Sequence, residues 1–171
     1  FVPIHFVHSD FTQDYQPMAQ DRQSDFPNFL HPVLEELGLP TDTVRNASHM
    51  VMLQFWRNTG PLQPQTPLAI CDANSVPATD LAASMVEAYG GGAFTFETFA
   101  VLGAKNAQFH KWYTYPNMSQ SEVLVFRTFD SRLAESGDAF WTPHSAFVDA
   151  TAKTKLPPRE SVEMRALCLF N

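Results

Sequence analysis

Apolar and polar residues alternate along much of this chain, more often with the two-residue period of strands than with the 3.6-residue period of helices. Near the start, "PIHFVHSDFT" (residues 3–12) continues a strand-like alternation that sets Val2, Ile4 and Phe6 to one side. His8 and Asp10 also lie two apart, so a strand sends both side chains from one face. Strand-like runs recur in "ASHMVMLQFW", "LAICDA", "AFTFETFAVLG", "QFHKWYTYP", "EVLVFRTFDS", "DAFWTPHSAFVD" and "ESVEMRALCLF". The spacing predicts one clear helix in "FPNFLHPVLEELGLP", where Phe29, Leu30, Val33, Leu34 and Leu37 share a face and Gly38 and Pro40 supply the stop. "FTQDYQPMAQDRQSD" reads as a loop, "VPATDLAASMVEAYGG" as a brief helix or an irregular lid, and Gly90–Gly92 as a flexible turn.

Short strands with frequent turn signals predict an all-β core, double-sheet or barrel-like, with one or two flanking helices rather than alternating βα units. The chain has 171 residues and neither a repeat nor a low-complexity tract, so residues 1–171 are expected to form a single domain.

Composition narrows the classes. An apolar fraction of 44% with 17% charged residues is that of a folded globular protein. Fifteen Phe, three Trp and four Tyr suit an aromatic core or a large apolar pocket. A formal charge of -7 without Lys/Arg clusters argues against nucleic acid as a partner. No apolar run approaches the ~20 residues of a membrane-spanning helix. No signal-peptide pattern is visible and the first residue is not Met, so the expectation is a cytoplasmic protein lacking an N-terminal segment here. Cys71 and Cys168 sit in apolar runs without a CxxC spacing, which predicts buried free thiols and not zinc ligands.

The candidate chemistry begins at His8-Ser9-Asp10. An imidazole and a carboxylate two apart on a strand can occupy adjacent positions around a metal with bonds of about 2 Å, although HxD alone is a weak signal. His144, in "TPHSAF" near the other end, would complete a two-histidine, one-carboxylate face with three positions open. Beyond it, Arg159 and Ser161 of "RES" share a face and could bind a carboxylate, the guanidinium in bidentate fashion. Arg165 has the same parity and competes for that role, unless one arginine pairs with Glu163. His5 stands at an odd offset from His8 and reads as structural. Arg57, Trp112 and Tyr113 are candidates for lining a substrate pocket, and Asp130, Asp138 and Asp149 read as solvated loop charge.

The segments "HSD", "QFWRNTGPLQ", "PLAICDANS", "HKWYTYPNM", "EVLVFRTFDS", "TPHSAF" and "PPRESVEMRAL" together resemble the non-haem iron hydroxylase/desaturase group of fungal and bacterial natural-product clusters. That group includes a cephamycin-cluster relative and gibberellin desaturase-like proteins, and it is similar to the Fe(II)/2-oxoglutarate-dependent oxygenases. The resemblance runs from His8 to Phe170. It departs at Asn58 and Leu62, where family members usually have "WRP" and "GPVQ".

The resemblance implies a double-stranded β-helix, or jelly roll, of cupin-like type. It implies Fe(II) held by His8, Asp10 and His144, 2-oxoglutarate anchored by Arg159 and Ser161, and dioxygen as co-substrate. The implied activity is C–H hydroxylation, desaturation or oxidative cyclisation of a small natural product; a homodimer is compatible with the resemblance, and the sequence leaves the oligomeric state open. Two rival readings stand beside it: a cupin-like dioxygenase or isomerase that uses no 2-oxoglutarate, and a non-catalytic β-sandwich binding module.

Overall fold

The computed structural model describes residues 3–21, 33–40, 42–88, 94–103, 109–152 and 155–171. Two antiparallel sheets dominate them. The six-stranded sheet has the order β4-β5-β1-β8-β3-β6, built from β1 (His8–Ser9), β3 (Leu68–Cys71), β4 (Leu81–Ala88), β5 (Phe94–Val101), β6 (Trp112–Thr114) and β8 (His144–Ala146). The three-stranded sheet places β2 (His49–Asn58) between β7 (Leu124–Asp130) and β9 (Ser161–Phe170).

The alternating runs account for most of this architecture. In β2, Met50, Met52, Gln54, Trp56 and Asn58 are all buried, while the residues between them are half-buried or exposed. The strand pairs with β9 without interruption from His49↔Phe170 to Asn58↔Ser161, which fixes the facing of every β9 side chain. On its other edge β2 pairs with β7 through a register shift between Met52 and Leu53. The main core joins Met50, Met52, Phe99, Phe129, Phe140 and Trp141 to Phe11, Tyr15 and Ala19.

Three expectations are corrected. The run read as a loop after Asp10 contains the helix Tyr15–Gln20. Tyr15 and Ala19, four apart, are both buried, and the Tyr15 ring packs 5.0 Å from that of Phe129. Pro17 falls within the first turn, where its missing N–H costs nothing. The run read as a helix or lid is instead the strand β4, preceded by a 3-10 turn at Ala78–Asp80. Its alanines favour a helix locally, but a register from Leu81↔Val101 to Val86↔Phe96 with β5 supplies ladder bonds that override that preference. Asp130, read as solvated charge, caps the helix Ser131–Ser136 through the backbone N–H groups of Arg132 and Leu133 and also meets His49 Nε2 at 3.0 Å.

Of the helix predicted over residues 26–40, positions 33–36 are helical and Leu34 alone of Val33, Leu34 and Leu37 is buried; residues 26–32 lie outside the described residues, as do Gly90–Gly92. Cys71 is a buried free thiol as expected, whereas Cys168 is only partly buried. Among the described residues no helix is long and apolar enough to cross a membrane.

Candidate metal centre

β1 is only two residues long, yet it is pinned on both edges. His8 lies opposite Ala100 of β5 and opposite His144 of β8. The Ser9 carbonyl accepts a 2.7 Å hydrogen bond from Thr98 Oγ1, and its hydroxyl accepts one from the Thr142 N–H. Asp10 follows directly, almost fully buried. The consequence is that one ligand-type atom from each of His8, Asp10 and His144 lies within 4.8 Å of the others. Asp10 Oδ1 is 3.7 Å from His8 Nε2 and 3.9 Å from His144 Nε2, beyond hydrogen-bonding distance.

The opposite ring nitrogens explain why both Nε2 atoms face the carboxylate. His8 Nδ1 donates to the Phe6 carbonyl at 2.8 Å, and His144 Nδ1 donates to the Thr142 carbonyl at 3.0 Å. Each bond assigns the proton to Nδ1 and leaves the Nε2 lone pair free, which is how metal-binding imidazoles are commonly oriented. Burial pushes the proton affinity of His144 down, and the nearby Asp10 charge does not fully offset it. The ring is therefore neutral and able to donate to a metal. Burial acts to raise the Asp10 pKa, but His144, Arg165 and His8 outweigh it and hold the carboxyl ionised.

These residues open into a cavity of about 610 Å³ between the two sheets. Arg159, Ser161, Glu163 and Arg165 of the β9 segment line its other wall, as their shared parity predicts. The two arginines do different things. Arg165 donates from Nε and Nη2 to Asp10 Oδ2, at 3.2 and 3.1 Å, and meets Glu163 at 3.4 Å. Arg159 donates to the Thr66 carbonyl and stacks 5.8 Å over the Trp56 ring, with no salt bridge among the described residues. Burial pushes its guanidinium down, so an anion entering the cavity would find a poorly hydrated partner.

Other candidates fall elsewhere. Arg57 is exposed and Trp112 lies outside this cavity, while Tyr113 lines a separate apolar one of about 280 Å³ with Trp56, Leu62 and Met118. His5 is exposed and does not line the cavity either. Gln54 was not singled out from the sequence. It is 1% exposed, lines the cavity, and its Oε1 has no hydrogen-bond partner among the described residues. A polar residue at a buried parity of β2 was the available signal.

The donor set fits a divalent metal such as Fe(II): two imidazoles and one ionised carboxylate, converging with their outer atoms already hydrogen-bonded. The orphaned amide of Gln54 and the half-buried Arg159 fit a polar, anionic co-substrate in the same cavity.

Comparisons with known proteins agree with the resemblance. The chain is 38% identical over 127 residues to the hydroxylase/desaturase efuI of Hormonema carpetanum, a match covering 70% of this chain and 40% of that protein. It is 33% identical over 141 residues to the alpha-ketoglutarate-dependent dioxygenase phiK of Fungal sp., covering 78% of this chain and 49% of the relative. The chain thus spans about half the length of these curated relatives or less. A solved structure of the iron and alpha-ketoglutarate-dependent endoperoxidase NvfI shares the fold, with a TM-score of 0.70 at 24% identity over 99% of this chain and 53% of that one. Residues 2–169 match the family described as YDMC, an oxidoreductase/YMDC permease-like domain, and the chain belongs to that family, with the fungal hydroxylase/desaturase proteins among its relatives.

Proposed function

We propose that this chain is the catalytic core of an Fe(II)/2-oxoglutarate-dependent oxygenase that hydroxylates, desaturates or oxidatively cyclises a small natural product. The observation that carries the reading is one cavity with two poles. His8, Asp10 and His144 converge on its six-stranded wall, and Arg159 with Ser161 stands on the opposing one. The two sheets are then the halves of a double-stranded β-helix, and residues 1–171 form a single catalytic unit. Relatives named as hydroxylase/desaturase and alpha-ketoglutarate-dependent dioxygenase support this reading.

In this proposal His8, Asp10 and His144 hold iron, while Arg159 and Ser161 hold the distal carboxylate of 2-oxoglutarate. When bound, the iron and 2-oxoglutarate supply oxidation by dioxygen, with succinate and CO₂ as co-products. The protein's own part is positional. The two Nδ1–H bonds hold the imidazoles in the donating tautomer, and Arg159 neutralises an anion that the cavity would otherwise desolvate at a cost. Ile4, Phe6, Val86 and Phe96 form an apolar wall beside the ligands, suited to a hydrocarbon face of the substrate and to excluding water from the reacting carbon.

Anaerobic Fe(II) titration followed by 2-oxoglutarate, with succinate quantified after oxygen is admitted, tests the reading. One iron per chain and succinate release that collapses in Arg159→Ala are expected. Iron binding without any 2-oxoglutarate turnover favours the cupin-like alternative, and absence of iron stoichiometry ends the oxygenase reading altogether.

A further inference from the structure

Asp10 is held asymmetrically. Both contacts from Arg165 go to Oδ2, from Nε at 3.2 Å and Nη2 at 3.1 Å, so this guanidinium does not grip one carboxylate oxygen with each nitrogen. Oδ1 faces the two imidazole Nε2 atoms instead. The division matters because a carboxylate can bind a metal through one oxygen or both, and a second bound oxygen would consume a coordination position.

We propose that Arg165 is a positioning residue that locks Asp10 as a one-oxygen metal ligand, keeping Oδ2 away from the ion and an adjacent coordination position open. The inference rests on the reading of His8, Asp10 and His144 as a metal site. It extends that reading to a residue 155 positions from Asp10, whose hydrogen bonds to that carboxylate go to Oδ2. Three features make the lock firm. Asp10 is 5% exposed, so water competes poorly for Oδ2. Arg165 stands opposite Gln54 in the uninterrupted β2–β9 ladder, so its origin is set by backbone pairing. Glu163, two residues earlier on the same face, meets the same Nη2 at 3.4 Å and gives the guanidinium a second anionic partner. Arg159, just before β9, and Arg165, within it, share a parity and thereby divide their work: Arg165 serves the metal carboxylate, and Arg159 is left for an incoming anion.

The test uses Co(II) as an air-stable probe of the metal site. In the parent protein with ¹³C-carboxyl-labelled aspartate, Co(II)-induced difference infrared spectra should show the wide carboxylate stretch splitting of one-oxygen ligation. Arg165→Gln should weaken Co(II) binding about tenfold, within the range typical of an outer-shell partner. It should also narrow that splitting and alter the cobalt ligand-field absorption, with Arg165→Lys recovering part of each change. A merely structural role for Arg165 would lower thermal stability without moving the spectra of the remaining folded protein. A narrow splitting in the parent overturns the inference even if Arg165→Gln does not fold, as does an Arg165→Gln protein with parental affinity and spectra. A parent that binds no Co(II) overturns the metal-site reading itself, an outcome distinct from either.

Discussion

His8 and His144 stand directly opposite one another on adjacent antiparallel strands, with ring centroids 4.5 Å apart and planes inclined by 54°. The pairing brings together residues from the two ends of the chain. A one-residue slip of β8 against β1 would turn His144 to the other face and dissolve the cluster. The same strand is held on its far side by β3, through Ile70↔His144 and Ala69↔Ser145, so the register does not depend on short β1 alone.

Removal of His144 should therefore separate binding from folding. The His144→Ala variant is expected to lose Fe(II) or Co(II) binding by more than the roughly 10–100-fold that outer-shell changes cost. Its far-UV circular dichroism should stay close to that of the parent, because β8 keeps its backbone partners on both edges. Retained stoichiometric binding in a titration would remove His144 from the ligand set.

Acid should act on the same residue in two ways with one sign. Burial lowers the proton affinity of folded His144, so below about pH 6.5 the unfolded chain takes up a proton that the folded chain refuses. Metal-free stability should fall as pH drops from 7.5 to 5.5, and a His144→Gln protein should show a shallower fall. Asp10, whose pKa is lowered, adds stability present above about pH 4 and lost only in stronger acid. Metal affinity should weaken over the histidine range because protons compete for Nε2. Equal slopes for parent and His144→Gln in thermal melts at several pH values would contradict the assignment.

Gly60 couples the "NTGP" turn to the backbone beside Arg159, the proposed anchor. Its N–H and that of Thr59 donate to the Glu160 carbonyl, and a Cβ at position 60 would lie 2.9 Å from Glu160 Cβ and 3.2 Å from its backbone nitrogen. Gly60→Ala must shift the backbone beside Arg159. The expected result is a raised KM for 2-oxoglutarate, on the order of tenfold, with kcat less affected, as for a lost ground-state binding contact. Steady-state kinetics with varied 2-oxoglutarate would read it, and an unchanged KM would show that the turn and the anchor are independent.

Phe129 tests the core apart from the site. It is fully buried, packs against Tyr15 and Phe140 at ring distances of 5.0 and 5.7 Å, and does not line the cavity at His8, Asp10 and His144. Phe129→Ala should cost about 3–5 kcal/mol in urea unfolding. A cost below about 1 kcal/mol would mean that the helix Tyr15–Gln20 repacks into the vacated space.

The local pattern by itself determined a good deal. Strand alternation in β2 is legible because it has a buried and an open face, and hydrophobic periodicity records that difference directly, whereas β9, with no fully buried residue, is legible from its apolar run and its parity. The HxD spacing, His144 and the "RES" segment were readable as candidate chemistry because their residue types are few and their parity is local. What local pattern misjudged depended on partners far away. The helix at Tyr15 forms because Tyr15 and Ala19 find the Phe129 core, and β4 is a strand because β5 lies beside it. Tertiary structure alone gave the two arginines different partners. Arg159, two residues before β9, and Arg165, within it, share a parity and both line the cavity, and only the approach of Asp10 to β9, across 155 positions of sequence, gives Arg165 to its carboxylate while Arg159 meets Thr66 and Trp56. Side-chain parity is written into a strand by its own backbone, but which charge it meets is set by whatever the fold brings opposite.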